Sequence, residues 1–309
     1  MGSFGQQVRA VLDLLRLPNA PTVWSNVVAA WILSGGDPLA WQLPVLCLGG
    51  TLLYFGGTIL NDAFDADWDA RHRPERPIPS GRLARSTVWG LGYGGLGFGS
   101  IALLIGGCHG WLITALTATI VAYDWLHKKT AWSVTLMGGC RTLLYLVVGI
   151  PWPESNKEML DAQWPNPALF GGLLGIYIIS LSLFARGEAT GRKGSGIWIL
   201  GLLPAPLLIL LILQKPPSLW VPGTKTSEWI DLLPGLLALA MALWCVAAVR
   251  LPLRPGSKPA DIGRCVSRLL AGIVLFDAML VSVVHPTAGL ALLILFPLAL
   301  LLQKKFAAT

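Results

Sequence analysis

Long apolar runs alternate with short polar connections along almost the whole chain. A helix of about 20 residues crosses the roughly 30 Å hydrocarbon core of a bilayer, and lipid offers no partners to an irregular backbone. The pattern therefore predicts an all-α integral membrane protein, with residues 1–309 forming a single polytopic domain. The predicted spans lie near 20–35, 43–61, 86–106, 111–127, 132–150, 167–185, 196–213, 230–249, 267–284 and 287–302.

Basic residues are concentrated in every second connection between these runs. The basic positions are Arg9, Arg16, the segment Arg71 to Arg85, Lys128, Lys129, the segment Arg186 to Lys193, the segment Arg250 to Arg268, Lys304 and Lys305. The alternate connections carry only Lys157, Lys215 and Lys225. Because cytoplasmic loops are enriched in Lys and Arg, we expect the basic side and both termini to be cytoplasmic, in a bacterial inner or plasma membrane.

Composition agrees with a membrane protein and excludes several other classes. The chain is 54% hydrophobic and only 13% charged, whereas soluble domains are about one quarter charged. The formal charge of +7 follows from loop orientation, so we expect no nucleic-acid partner. The five cysteines are scattered without paired spacing, which indicates neither a zinc site nor a disulfide framework. No cleavable signal peptide is apparent before Leu17.

One polar stretch, Asn61 to Asp69, interrupts the apolar pattern where the second run ends. If the helix continues through it, a rotation of 100° per residue places Asn61, Asp65, Asp69 and Asp62 at about 0°, 40°, 80° and 100°. Asp67 falls at about 240° and points away from this face. Three carboxylates on one face are costly without a cation, because each disfavours the ionisation of the others. Oxygen ligands of this type suit a hard ion such as Mg2+ bridging to a phosphate.

Three polar segments of the chain form a recognisable set of motifs. They read Asn61-Asp62-x-x-Asp65-x-x-x-Asp69 with the tail Arg76-Pro77-Ile78-Pro79-Ser80-Gly81-Arg82, then Arg16-Leu17-Pro18-Asn19, and Tyr123-Asp124-Trp125-Leu126-His127-Lys128-Lys129. Together they resemble the UbiA superfamily of intramembrane prenyltransferases. The first is similar to the family's first aspartate-rich motif at the end of its second transmembrane helix. The resemblance implies a bundle of nine core helices around a cavity, and here a tenth C-terminal span would be added.

The resemblance also implies an activity, namely Mg2+-dependent transfer of an isoprenyl group from a prenyl diphosphate to a small acceptor at the cytoplasmic face. The implied metal ligands are Asn61, Asp62, Asp65 and Asp69, of which Asp62 and Asp65, with Lys128, would be catalytic. The implied diphosphate-binding residues are Arg71, Lys128, Arg141 and Arg186. Arg16 and Asn19 would meet the polar head of the acceptor. The partners would be the two substrates and membrane lipid.

The chain departs from the family at the second aspartate motif. The first motif lies in the predicted cytoplasmic loop 62–85, and the loop 186–195 stands where the second is expected. Between Pro167 and Leu200 the only carboxylate is Glu188. Either Arg186 and Lys193 replace a second metal as diphosphate partners, or the cavity binds an isoprenoid or another metabolite without transferring it. The segment around Glu188 resembles the UbiA-like branch called EboC.

Asp277 stands inside the apolar run from Leu275 to Ala278. An acid within a membrane helix is costly and by default indicates function. Alternatively, Asp277 forms a hydrogen bond to a neighbouring helix as a neutral acid. A channel or proton-coupled transporter would need buried charges along a path through the membrane, and only Asp277 and Arg141 are candidates for such charges.

Overall fold

The computed structural model describes residues 4–150, 167–189, 228–254, 256 and 259–305, and these ranges are dominated by α-helices without any strand. A 3-10 turn, Leu17–Asn19, separates the first two helices. The helices are α1 (Phe4–Leu15), α2 (Ala20–Leu33), α3 (Gln42–His72), α4 (Arg85–Ile105), α5 (Gly110–Leu126), α6 (Ser133–Gly149), α7 (Pro167–Ala189), α8 (Glu228–Leu253), α9 (Pro259–Val284), α10 (Pro286–Leu292) and α11 (Leu295–Lys305).

The predicted spans coincide with described helices, except that 196–213 lies outside the described residues. Among the described residues, six helical segments are long and apolar enough to cross a membrane, and α5 and α6 are shorter apolar helices. The all-α membrane fold is thereby confirmed. The last predicted span, 287–302, is divided into α10 and α11 by a turn at Leu293 and Ile294. Pro297 accounts for this break, because its ring clashes with the carbonyl group four residues earlier.

Helix α3 is held against α4 by glycines that let the two backbones touch. A Cβ atom added at Gly95 of α4 would lie 2.9 Å from the Cα atom of Gly56 in α3. One added at Gly99 would lie 2.8 Å from the backbone nitrogen of Leu53. Small residues permit this close approach between membrane helices. The packing fixes the direction in which α3 presents its polar end.

Helix α9 lies at the centre of the bundle. Every residue from 271 to 282 is buried, and α9 contacts α2, α7, α8 and the last two helices. A helix that is apolar all round is expected in such a position. Asp277, in the middle of this stretch, therefore lies away from lipid.

Helix α1 packs beside the polar end of α3 through a small apolar cluster that includes Ala10, Leu14 and Ile59. Arg16 follows α1 with a φ of 45°, in the left-handed region. This conformation ends α1 and begins the 3-10 turn that leads into α2. The chain thereby places the Arg16 side chain over the polar stretch of α3.

Candidate active site

Helix α3 continues through the polar stretch to His72, so residues 62–72 of the segment 62–85 are helical. Asn61, Asp62 and Asp69 are buried, and the side chain of Asp65 is only 14% exposed. The side chain of Asp67 is 76% exposed and lies 2.9 Å from Arg85 at the surface. The helical arrangement predicted from the spacing is therefore confirmed, with Asp67 on the outside.

Lys128, which follows α5, contacts two of these carboxylates. Its Nζ atom lies 2.9 Å from Oδ2 of Asp65 and 3.8 Å from Oδ1 of Asp69. The same ammonium group lies 3.6 Å from the ring centroid of Trp68, a cation–π contact. The Nε2 atom of the neighbouring His127 lies 3.2 Å from Oδ2 of Asp65. The structure thus brings the predicted cation and the predicted carboxylates together.

Asp65 lies in the last turns of α3 and faces two basic side chains. Its Oδ2 atom contacts both Nζ of Lys128 and Nε2 of His127. A neighbouring positive charge favours the ionised form of a carboxyl group, which is the form that binds a cation.

Asn61 connects Arg16 to Asp124. Its Oδ1 atom accepts a hydrogen bond of 3.0 Å from Nη2 of Arg16, and its Nδ2 group donates one of 3.1 Å to Oδ1 of Asp124. Arg16 also lies 3.5 Å from Oδ1 of Asp62. Arg16 was predicted to meet the acceptor, yet its guanidinium group contacts the motif itself. Asn19 is buried three residues further on, at the start of α2.

Asp62 contacts a second guanidinium group, which belongs to the loop that follows α3. The Nη1 atom of Arg76 lies 3.4 Å from Oδ2 of Asp62. Arg76 opens the Arg-Pro-Ile-Pro-Ser-Gly tail of the motif, and no role of its own was predicted for it. Because Asp62 lies between Arg16 and Arg76, its negative charge is compensated from both sides.

Asp124 is a site residue that sequence reasoning missed. It is only 4% exposed, and its Oδ2 atom has no hydrogen-bond partner among the described residues. A buried carboxylate oxygen without a partner is costly. The signal was available, because Asp124 is an acid at the end of an apolar run and belongs to one of the segments that resemble the family.

Two of the other predicted diphosphate ligands, Arg71 and Arg141, are not brought to this cluster. Arg71 is exposed, at about 280° from Asn61 on the helical wheel, and forms no ion pair with a described residue. Arg141 instead donates hydrogen bonds to Thr22 in α2. Arg186 and Glu188 are in the last turns of α7, but their side chains lie outside those that the structure describes.

Asp277 forms hydrogen bonds to two neighbouring helices. Its Oδ2 atom accepts from Ser25 at 2.5 Å and from Asn26 at 2.7 Å, both in α2. Its Oδ1 atom accepts from the hydroxyl group of Tyr145 in α6. All three partners are buried. The carboxyl group is therefore part of an interhelical network, which agrees with the predicted hydrogen bond to a neighbouring helix.

The motif offers oxygen donors, but in this structure they face protein cations. Among the described residues, no group of three or more His, Cys, Asp or Glu side chains is arranged to hold a metal ion. Asp62 is paired with Arg16 and Arg76, and Asp65 with Lys128. Carboxylate and amide oxygens are nevertheless the donors that Mg2+ prefers, so the donor set fits this ion by its chemistry.

Comparisons with known proteins show the family to which the chain belongs. The model of the UbiA prenyltransferase family matches residues 20–260. A digeranylgeranylglyceryl phosphate synthase of Methanothrix thermoacetophila is 34% identical in an alignment of 281 residues that covers 89% of this chain and 80% of the relative. A synthase of the same name from Ignicoccus hospitalis is 31% identical over 302 residues, covering 91% of this chain and 95% of the relative.

A solved structure from work on digeranylgeranylglyceryl phosphate synthase in membranes has the same fold. It aligns with 90% of this chain and 99% of its own, at a TM-score of 0.58 and 17% identity. The family match covers most of the chain, and the apolar helices are long enough to cross a bilayer. The chain is therefore an integral membrane protein that belongs to the UbiA prenyltransferase family.

Proposed function

We propose that this protein transfers an isoprenyl group from a prenyl diphosphate to a small acceptor, with Mg2+, at the cytoplasmic face of the membrane. The observation that carries the proposal is the meeting of Asp65 and Asp69 with Lys128 at one end of the bundle. Carboxylates provide ligands for a divalent ion, and the lysine provides a cation for phosphate oxygens. A prenyl diphosphate bound to Mg2+ needs both.

Asn61, Asp62, Asp65 and Asp69 would hold Mg2+. When bound, the ion supplies neutralisation of the negative charge on the leaving diphosphate. Without the ion, the charge of Asp62 and Asp65 is compensated by Arg16, Arg76 and Lys128. These long side chains would share their hydrogen bonds with the phosphate oxygens once substrate is bound.

Lys128 is the diphosphate partner that the geometry favours most. Its side chain is 32% exposed, so Lys128 remains accessible while it pairs with Asp65. The contact with Trp68 limits the directions that its side chain can take. Arg71 and Arg186 remain proposed partners on position alone.

In the transfer, the bond between C1 of the donor and the diphosphate oxygen breaks, and its electron pair leaves with the diphosphate. A new bond forms between C1 and the nucleophilic atom of the acceptor, which loses one proton to the released diphosphate or to water. Positive charge develops on C1 during this exchange. The apolar bundle excludes water, which protects that centre from hydrolysis.

A second candidate is binding of an isoprenoid or another metabolite without transfer. It is favoured by the loss of carboxylates at the second motif, where Glu188 is the only acid between Pro167 and Leu200. The resemblance of that segment to the EboC branch stays a prediction.

The two candidates are separated by measuring pyrophosphate release from farnesyl or geranylgeranyl diphosphate by the purified protein in Mg2+. The acceptor panel includes aromatic compounds, quinone precursors, sugar-like alcohols and geranylgeranylglyceryl phosphate. The last is chosen because the synthase relatives are named for a glyceryl phosphate that bears two geranylgeranyl groups. Acceptor-dependent release supports transfer, whereas no release with any donor and acceptor contradicts it.

A further inference from the structure

Arg141 is held in the interior of the bundle by three hydrogen bonds to α2. Its Nη1 group donates to the carbonyl oxygen of Thr22 at 3.2 Å and to Oδ1 of Asn26. Its Nη2 group donates to Oγ1 of Thr22 at 3.0 Å. Thr22 and Asn26 are both fully buried, so the guanidinium group points into the bundle and away from lipid.

Asp277 fixes this arrangement through Asn26. The Nδ2 group of Asn26 donates to Oδ2 of Asp277 at 2.7 Å, which leaves the amide oxygen to face Arg141. Asp277 also accepts from Ser25 and Tyr145, so its carboxyl group has donors on both oxygens. The network therefore orients the guanidinium group of Arg141. It also engages the carboxyl group of Asp277 in hydrogen bonds to other residues.

The positive charge of Arg141 has no direct counter-ion in the described part of the chain, where no carboxylate oxygen lies within 4 Å of it. A guanidinium group has five N–H donors. Three take part in the hydrogen bonds to Thr22 and Asn26, and the other two have no partner among the described residues. An interior cation without a counter-ion, and with incomplete hydrogen bonds, is costly unless it binds a ligand.

The position of Arg141 differs from that of the carboxylates. Thr22, which binds it, follows Arg16 by six residues, and Arg16 contacts the motif at Asn61. One 3-10 turn and one helical turn lie between Arg16 and Thr22, so the two residues differ in depth along the bundle by about 10 Å. Arg141 thus lies deeper in the bundle than the proposed diphosphate site. An acceptor that approaches C1 of the donor from the side opposite to the leaving diphosphate would lie on this deeper side.

We propose that Arg141 binds an anionic group of the acceptor, a carboxylate or a phosphate, and does not bind the diphosphate of the donor. This inference rests on the proposed function. In the part of the chain that the structure describes, two N–H donors of this planar guanidinium group have no partner, and such a pair matches the two oxygens of an anion. Arg141 then selects acidic acceptors over neutral ones, and Asn26 and Asp277 are positioning residues that keep it in place.

The test compares wild type with Arg141→Gln, Arg141→Lys and the control Lys129→Gln. The probes are two matched pairs: geranylgeranylglyceryl phosphate with geranylgeranylglycerol, and 4-hydroxybenzoate with 4-hydroxybenzamide. In Arg141→Gln we expect KM for the accepted anionic probe to rise about tenfold to hundredfold. KM for the prenyl diphosphate stays within about twofold, Arg141→Lys recovers part of the loss, and Lys129→Gln resembles wild type. The two pairs distinguish a phosphate from a carboxylate.

Equilibrium binding of the same probes gives a readout that does not need turnover. If wild type releases no pyrophosphate, the proposed function fails, yet preferential binding of an anionic probe that Arg141→Gln abolishes still supports the site. The inference is overturned if the substitution raises KM for the donor instead, or if the variant binds the anionic probes as wild type does. It is equally overturned if wild type does not prefer either anionic probe to its neutral partner.

Discussion

The Nζ atom of Lys128 lies 2.9 Å from Oδ2 of Asp65, and this contact joins the polar ends of α3 and α5. Neither helix carries this site alone, since α3 provides the carboxylates and the residues after α5 provide the cation. Each partner also has a neighbour of the same chemical type that points elsewhere, and this neighbour provides a matched control for mutagenesis.

The first prediction concerns the carboxylates of α3. Asp65→Asn removes a charged ligand from the inner face, and we expect transfer to fall by about 10²–10³-fold, the loss typical of removing one strong electrostatic contact. Asp67→Asn is the matched control, because Asp67 is exposed and pairs only with Arg85 at the surface. Initial rates of pyrophosphate release measure both variants. Equal losses in the two would show that the face of α3 has no special role.

A second prediction concerns the cation. Lys128→Met keeps an unbranched side chain on Trp68 but removes the charge, so we expect KM for the prenyl diphosphate to rise about tenfold or more. Lys129→Met is its control, because the ammonium group of Lys129 lies over Trp125 at 4.3 Å and away from the carboxylates. Steady-state kinetics with varied donor concentration check the result. An unchanged donor KM in Lys128→Met argues against the assignment.

A third prediction tests the packing that directs α3. Gly95→Ala adds a Cβ atom 2.9 Å from the Cα atom of Gly56, where only backbone can move, and overpacking of this kind costs about 1–3 kcal/mol. At Gly94, one residue earlier in α4, an added Cβ meets nothing within 4 Å. We expect a lower melting temperature in detergent for Gly95→Ala and no decrease for Gly94→Ala, since alanine favours helices. A decrease of the same size in both variants would contradict this packing.

A fourth prediction separates the structural role of Asp277 from chemistry. Asp277→Ala leaves donors of Ser25, Asn26 and Tyr145 without their acceptor, and each unsatisfied buried group costs about 1–3 kcal/mol. We expect a large fall in melting temperature for Asp277→Ala and a smaller one for Asp277→Asn, which keeps one acceptor oxygen. Thermal unfolding of the purified variants measures this. Wild-type stability of Asp277→Ala would show that the network contributes little.

The carboxylate face of α3 could be predicted because it depends only on local helical geometry. The residues from Asn61 to Asp69 belong to one helix, so their relative directions follow from 100° per residue. The spans could be predicted for a similar reason, since the bilayer sets their length. The break in the last span was missed because hydropathy averaged over a run hides the effect of a single proline, Pro297.

The contacts between segments could not be predicted in the same way. Asn61 and Asp124 are 63 residues apart, and their hydrogen bond depends on how α3 and α5 pack. Arg16 reaches the motif only because its own backbone takes a left-handed conformation. Arg141 was assigned to the diphosphate from its position in the chain, whereas its depth in the bundle depends on the register of α6 against α2. Pairing of this kind is a property of the tertiary structure.

The central claim is that the inner face of α3 binds a prenyl diphosphate through Mg2+, and the most direct test is the Mg2+ dependence of donor affinity. Equilibrium binding of geranylgeranyl diphosphate to the purified protein is measured with Mg2+ and after its removal by a chelator, in wild type and in Asp65→Asn. We predict that wild-type affinity falls by about tenfold or more without Mg2+, and that Asp65→Asn binds weakly in both conditions. Equal wild-type affinity with and without Mg2+ would contradict the role given to these carboxylates.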